Sequence, residues 1–133
     1  MKRIALSAVL VATAGLAVVA VAAAAGYVQI TGTPGNDTIV GTSGADRIAA
    51  RAGNDTVSSG AGNDRIWPGR GADVENGGPG DDVLHALAND DLVDRIDCGE
   101  GNDIVWLNVN EQDVHVNCET VKMKAARDDG GDN

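Results

Sequence analysis

The sequence predicts an all-β fold, a solenoid of very short strands stacked in coils and pinned near its C-terminus by a disulfide. Three observations carry this. A nine-residue pattern recurs seven times, with glycine and aspartate at fixed positions. Large apolar residues are scarce, with no Phe, one Tyr and two Trp in 133 residues. Two cysteines, Cys98 and Cys118, stand near the end of the chain.

The N-terminal segment distorts the composition. Met1-Lys2-Arg3 is basic, and residues 4–25 are apolar or small, broken only by Ser7, Thr13 and Gly15. The run ends in four alanines, Ala22 to Ala25, which contain the A-x-A pattern of a signal peptidase site. A signal peptide over 1–25 is expected, and with it secretion. The alternative is an uncleaved anchor, since the run approaches the ~20 residues that span a bilayer. Without 1–25, eight Lys and Arg face twenty Asp and Glu, a net charge of −12. Nucleic acid and anionic membranes are therefore poor partners, and cations are good ones. The remaining chain is too poor in large apolar residues for a conventional core, so it needs staples, metal or disorder. In a secreted chain the two cysteines are expected to pair, closing a loop worth ~3 kcal/mol.

The repeat supplies the architecture. Cut in nines, the chain reads GTPGNDTIV from Gly32, GTSGADRIA from Gly41, ARAGNDTVS from Ala50, SGAGNDRIW from Ser59, PGRGADVEN from Pro68 and GGPGDDVLH from Gly77. After an interruption, CGEGNDIVW restarts at Cys98. The fourth position is always glycine: Gly35, Gly44, Gly53, Gly62, Gly71, Gly80 and Gly101. The sixth is always aspartate: Asp37, Asp46, Asp55, Asp64, Asp73, Asp82 and Asp103. The eighth is Ile39, Ile48, Val57, Ile66, Glu75, Leu84 and Val105.

Glycine provides a tight turn, and Asn or Asp after it is turn chemistry. The three residues that follow read as a strand whose middle side chain points inward. One inward residue per nine makes a thin column that only stacked repeats can bury. A nonapeptide is half a coil, so the coil is eighteen residues. Asp37, Asp55 and Asp73 then line one edge, and Asp46, Asp64 and Asp82 the other, with neighbouring turns ~4.8 Å apart. Acids so close repel unless a cation lies between them. Calcium accepts six to eight oxygens, main-chain carbonyls included, whereas zinc would want recurring Cys or His.

The pattern resembles the repeats-in-toxin nonapeptide G-G-x-G-x-D-x-U-x, the hemolysin-type calcium-binding repeat. The resemblance covers 32–84 with a late copy at 98–106, and the repeat from Gly77 fits it fully. It implies a parallel β-roll, a right-handed β-solenoid, in a small secreted calcium-binding protein whose roll ends in a cysteine-closed cap. It also implies that Ca2+ sits between turns one coil apart. Its ligands there would be the carboxylates of Asp37, Asp46, Asp55, Asp64, Asp73, Asp82 and Asp103. Turn carbonyls at Gly32, Gly35, Gly41, Gly44, Gly53, Gly60, Gly62, Gly71, Gly78 and Gly80 would complete the shell. The implied pairs are Asp37 with Asp55, Asp55 with Asp73, Asp46 with Asp64, and Asp64 with Asp82. Asp82 and Asp103, twenty-one apart, offer a fifth.

Two stretches depart from the pattern. Glu75 stands where an inward aliphatic belongs, so that coil is expected to be irregular or to turn Glu75 out in favour of Val74. Residues 86–97 (ALANDDLVDRID) hold a three-residue insertion, after which register resumes at Asp94 and Ile96. Trp67 and Trp106 share the ninth position and should face outward. Thr38 and Thr56, and Arg47 and Arg65, recur at eighteen on opposite faces and invite an adhesive role toward a matrix, a polymer or ice. Residues 113–121 (DVHVNCETV) read as a final strand over the open end of the roll, so the roll is expected over 26–121. The tail 122–133 reads as disordered. An acidic disordered linker is the rival reading, and disorder without calcium reconciles the two. His85 and His115 have no matched nucleophile, so an enzyme is not expected.

Overall fold

The computed structural model describes residues 20–24 and 26–125. The expected signal peptide falls largely on residues outside these. In chain order the strands are β1 (Ala20–Ala24), β2 (Tyr27–Thr31), β3 (Thr38–Val40), β4 (Asp46–Ala49), β5 (Thr56–Ser58) and β6 (Arg65–Trp67). Then come β7 (Val74–Asn76), β8 (Val83–Ala86), β9 (Arg95–Asp97), β10 (Ile104–Asn108), β11 (Val114–Val116) and β12 (Thr120–Lys124). From β2 onward they alternate between two sheets. One runs β1-β2-β4-β6-β8-β10-β12 and the other β11-β9-β7-β5-β3. Apart from the antiparallel β1–β2 pair, every pairing is parallel. The fold is a parallel β-solenoid of two half-coils per turn, as the nine-residue period predicts.

Register confirms the eighteen-residue coil. Thr38 pairs with Thr56 and Thr56 with Val74, while Arg47 pairs with Arg65 and Arg65 with Val83. The insertion then stretches one coil, since Val74 pairs with Arg95 and Val83 with Ile104. The extra residues leave the strands parallel and bulge at the edge, where Asn108 donates to the Ala88 carbonyl at 2.7 Å.

The core is the expected thin column. Ile30, Ile48, Ile66, Leu84 and Val105 come from one sheet, Ile39, Val57 and Ile96 from the other, and all are buried. Glu75 corrects the sequence expectation. Its coil is regular, Val74 faces out, and Glu75 points inward at 1% exposure between Val57 and Ile96. Ladder pairing on both sides holds β7 in register, and a one-residue slip would turn its whole strand over. The side chain is thus carried inside, and neither carboxyl oxygen has a hydrogen-bond partner. Burial, followed by the nearby Asp94, Asp73 and Asp113, pushes its pKa well above the ordinary range.

The C-terminal stretch also differs from expectation. Residues 113–121 are not one strand laid over the end. They contribute β11 to one sheet and the start of β12 to the other, so the chain winds another coil. β12 extends the roll to Lys124, past the expected boundary at Val121, and residues 126–133 lie outside the description. Cys98 and Cys118 form the expected disulfide. Cys98 follows β9 and Cys118 follows β11, so the bond staples the last coil to the one beneath it. Val114, Val116, Val121 and Met123 remain exposed there.

Glu75→Leu should stabilise the protein by about 1–3 kcal/mol, because it replaces an unpaired buried carboxyl with an apolar group that fits the column. Thermal unfolding followed by circular dichroism at neutral pH reads the effect. A lowered midpoint would mean that Glu75 has a stabilising partner when folded.

Candidate functional site

The two edges of the roll carry the chemistry. On the first, the Asp37 N–H donates to Oδ1 of Asp55 at 2.7 Å, Asp55 N–H to Asp73 at 2.7 Å, and Asp73 N–H to Asp94 at 2.9 Å. Asp94 N–H then donates to Asp113 at 2.9 Å. On the second edge Asp46 donates to Asp64, Asp64 to Asp82, and Asp82 to Asp103, each at 2.8 Å. Asp103 N–H ends the series on Oε2 of Glu119 at 2.8 Å. Main-chain bonds run the other way, since the carbonyls of Asp37, Asp55, Asp64 and Asp82 accept from Thr56, Val74, Val83 and Ile104. Each such aspartate above the lowest rung is therefore tied to the coil above by its main chain and to the coil below by its carboxylate.

The lower ends are closed by threonines. Thr33 donates its N–H and hydroxyl to Asp37, and Thr42 does the same for Asp46. The fifth position forms a second ladder. Asn54 N–H donates to Oδ1 of Asn36, Ala72 to Asn54, Asp81 to Asn63, and Asn102 to Asp81. This is why an amide or acid so often follows the glycine. One ladder uses the fifth side chain to bind the turn above, and the other uses the sixth to bind the turn below.

The glycines let the turns approach. Gly53 has φ +115°, and a Cβ there would stand 2.5 Å from the Gly35 carbonyl oxygen. The carbonyls of Gly35, Gly44, Gly53, Gly60, Gly62, Gly78 and Gly80 each lie beneath a glycine of the next coil. Gly32 and Gly41 instead flank carboxylates, and a Cβ on either would stand 2.6 Å from Oδ2 of Asp37 or Asp46. Gly71 donates its N–H to Asp90 at 2.8 Å, beneath the inserted loop.

One oxygen per acid is left over. Oδ2 of Asp55, Asp64, Asp73, Asp82, Asp103 and Asp113 is buried without a hydrogen-bond partner. A buried oxygen of this kind costs free energy unless something positive meets it. Their pKa values respond accordingly. Burial raises Asp55 and Asp82 to about 7, Asp73 to about 6 and Asp94 to about 8, with neighbouring carboxylates adding to the rise. Asp64, Asp103 and Asp113 also rise, chiefly through burial. The Ser59 hydroxyl opposes the rise at Asp64, although its proton goes to the Gly77 carbonyl at 2.6 Å.

These donors suit a hard cation. All are oxygens, they recur at the coil spacing, and the orphaned ones are buried. No group of three His, Cys, Asp or Glu side chains converges on a point among the described residues. A cation between coils would therefore take two acids and draw its other oxygens from the turns. The structure brings together the aspartates singled out by sequence, including Asp82 with Asp103. Sequence reasoning places Asp94 in register but does not count it among the ladder acids, and it misses Asp113 and Glu119, which continue the ladders beyond the insertion, and the Thr33 and Thr42 closures. Asp94 was detectable, since it precedes Asp103 by nine. Asp113 and Glu119 follow irregular spacings that no fixed period predicts.

Comparison with known families bears on the same residues. The family described as RTX calcium-binding nonapeptide repeat, in its four-copy form, matches residues 31–66, 40–75 and 67–105. No curated protein and no solved structure matches the chain. The matched stretches overlap to span 31–105, more than half of the 133 residues, and enclose most of both acid ladders. The chain belongs to the RTX calcium-binding nonapeptide repeat family, whose repeats bind Ca2+.

Proposed function

We propose that this is a secreted calcium-binding protein, without catalytic activity, whose roll folds when Ca2+ enters its edges. The observation that carries the reading is the row of buried, unpartnered Oδ2 atoms on two regular ladders. Calcium would be held by Asp55 with Asp73, Asp64 with Asp82, and Asp82 with Asp103, helped by turn carbonyls. Asp37 with Asp55 and Asp46 with Asp64 serve as the lowest sites, although Thr33 and Thr42 already engage one acid of each pair. The insertion adds Asp73 with Asp94. Export is supported by the composition of 1–25 and by the disulfide, which belongs to oxidising compartments. Cleavage after Ala25 would remove β1 and leave β2 as the edge of its sheet.

Circular dichroism of the exported chain should show a disordered spectrum in EDTA and a β spectrum in millimolar calcium. Identical spectra in the two conditions would refute calcium-driven folding.

Position on the ladder should matter. Asp64→Ala removes a carboxylate shared by two gaps, whereas Asp37→Ala removes one at the closed end. Asp64→Ala should therefore lose more calcium sites in a calorimetric titration, and equal losses would argue against shared ligation.

Protons and calcium should compete. The folded-state pKa of Asp55, Asp73, Asp82 and Asp94 lies above the usual carboxylate value, so the metal-free roll binds protons that the unfolded chain releases. Its stability therefore falls as pH rises from about 4 through 6 to 8. In EDTA the β signal should grow as the pH is lowered from 8 toward 5. Over the same range the midpoint calcium concentration should increase. A pH-independent calcium midpoint would contradict the ladder's protonation.

A further inference from the structure

The outward face of the seven-stranded sheet differs chemically from the rest of the protein. Its strands expose Gln29 and Thr31, Arg47 and Ala49, Arg65 and Trp67, Val83 and His85, Ile104 and Trp106, and Thr120 and Lys122. None of these is acidic, on a chain of net charge −10. Of the seven Lys and Arg among the described residues, Arg47, Arg65, Lys122 and Lys124 lie in this sheet. Arg51, just outside the strands, lines a cleft of ≈340 Å³ with Gln29, Thr31, Arg47 and Trp67.

The aromatic rings of this face are stacked on one another. Trp67 and His85 lie 4.9 Å apart at 5°, and His85 and Trp106 lie 6.4 Å apart at 2°. The Arg47 guanidinium covers Trp67 at 5.2 Å and Tyr27 at 5.6 Å, and the Lys122 ammonium covers Trp106 at 4.7 Å. The ring faces are thus engaged by neighbouring rings and cations. What remains for a ligand is the ring edges, which carry the positive part of the quadrupole, and the charged groups beside them. A neutral sugar that needs an open ring face finds little here, whereas an anion meets positive charge at Arg47 and Arg65 and again at Lys122 and Lys124.

Arg51 adds an independent observation. It occupies the second position of its repeat with φ 88°, where Gly60, Gly69, Gly78 and Gly99 take φ from 81° to 98° in the later coils. An arginine in this left-handed conformation is strained where glycine would be relaxed. The strain falls at the cleft, beside Arg47 and Trp67.

We propose that this face binds an acidic polysaccharide, a chain of sugars bearing carboxylates, laid along the roll axis. Arg47, Arg51 and Arg65 would engage the carboxylates, for which the planar guanidinium is well shaped. Gln29 and Thr31 would meet hydroxyls in the cleft. A sparsely charged polymer suits an acidic protein better than nucleic acid does. Duplex DNA carries one charge per ~1.7 Å and would meet strong repulsion from the acidic edges. The stacked Trp67, His85 and Trp106 rings, capped by Arg47 and Lys122, leave single strands little face on which to stack a base.

The test uses the calcium-loaded exported chain, with its β spectrum verified first, so that failed folding and failed polymer binding are told apart. Binding to carboxymethyl-dextran is compared with neutral dextran, poly-glutamate and duplex DNA. The proposal expects carboxymethyl-dextran to bind best and neutral dextran not to bind. Arg47→Ala with Arg65→Ala should weaken binding more than tenfold, and Arg95→Ala on the opposite sheet should leave it unchanged. Arg51→Gly should raise the thermal midpoint yet weaken polymer binding severalfold, a split that a purely structural role for Arg51 would not produce. Equal binding to neutral dextran would overturn the proposal. So would preference for poly-glutamate or DNA, undiminished binding by Arg51→Gly, or no binding by the folded protein.

Discussion

The structure depends on acids held at the spacing of paired strands. Parallel stacking puts the sixth-position carboxylates of successive coils about 4.8 Å apart. At an effective dielectric of about 20, two unit charges at that distance repel by roughly 3 kcal/mol. The hydrogen bonds from main-chain N–H to Oδ1 fix each carboxylate in place, so the side chains cannot swing apart to relieve the repulsion. Stacking therefore requires something to neutralise the edge, and either protons or calcium can do so. The raised pKa values describe the first answer, and the orphaned Oδ2 atoms mark the place of the second.

The thinness of the core makes this requirement decisive. A column of one Ile, Val or Leu per half-coil contributes little apolar burial per residue, and Glu75 interrupts it. The edge and the column therefore share the task of holding the coils together. The upper end shows the same shortage. There Glu119 replaces an aspartate at the last rung, the coil spacing becomes irregular, and four large apolar side chains stay exposed. The Cys98–Cys118 bond lies at this end, where neither a regular ladder nor a packed column secures the coil.

Much of this was legible because the repeat is a direct image of the coil. Glycine at the fourth position, aspartate at the sixth and an aliphatic at the eighth each answer one geometric need, so period and register follow from them. The features that the repeat does not encode follow from longer-range context. Glu75 was expected to be irregular or outward because a lone buried acid is unfavourable. Ladder pairing on both sides of β7 outweighed that local preference. Residues 113–121 alternate like one strand, but Asn117 takes φ 54° and the chain turns there into the other sheet. The threonine closures were invisible because they exist only at the bottom coil, where no lower neighbour supplies an N–H.

Edges and faces answer to different constraints, and this separates stability from recognition. The inward and edge positions are bound by the column and the ladders, while outward positions on either sheet are free to vary. On β3, β5 and β7 of the five-stranded sheet they hold Thr38, Val40, Thr56, Ser58, Val74 and Asn76, which carry no charge, and on β9 they hold Arg95 beside Asp97. On the seven-stranded sheet they hold the cations and the stacked rings. The two regions nonetheless communicate through charge. Without calcium the acidic edges set a negative field over the whole roll and oppose any polyanion approaching the basic face. Each bound Ca2+ removes two negative charges from an edge. On the proposed function, the ion that permits stacking would also uncover the positive potential of Arg47 and Arg65. Polymer binding on that face would depend on calcium twice, once for the fold that assembles the column and once for the field that lets an anion reach it.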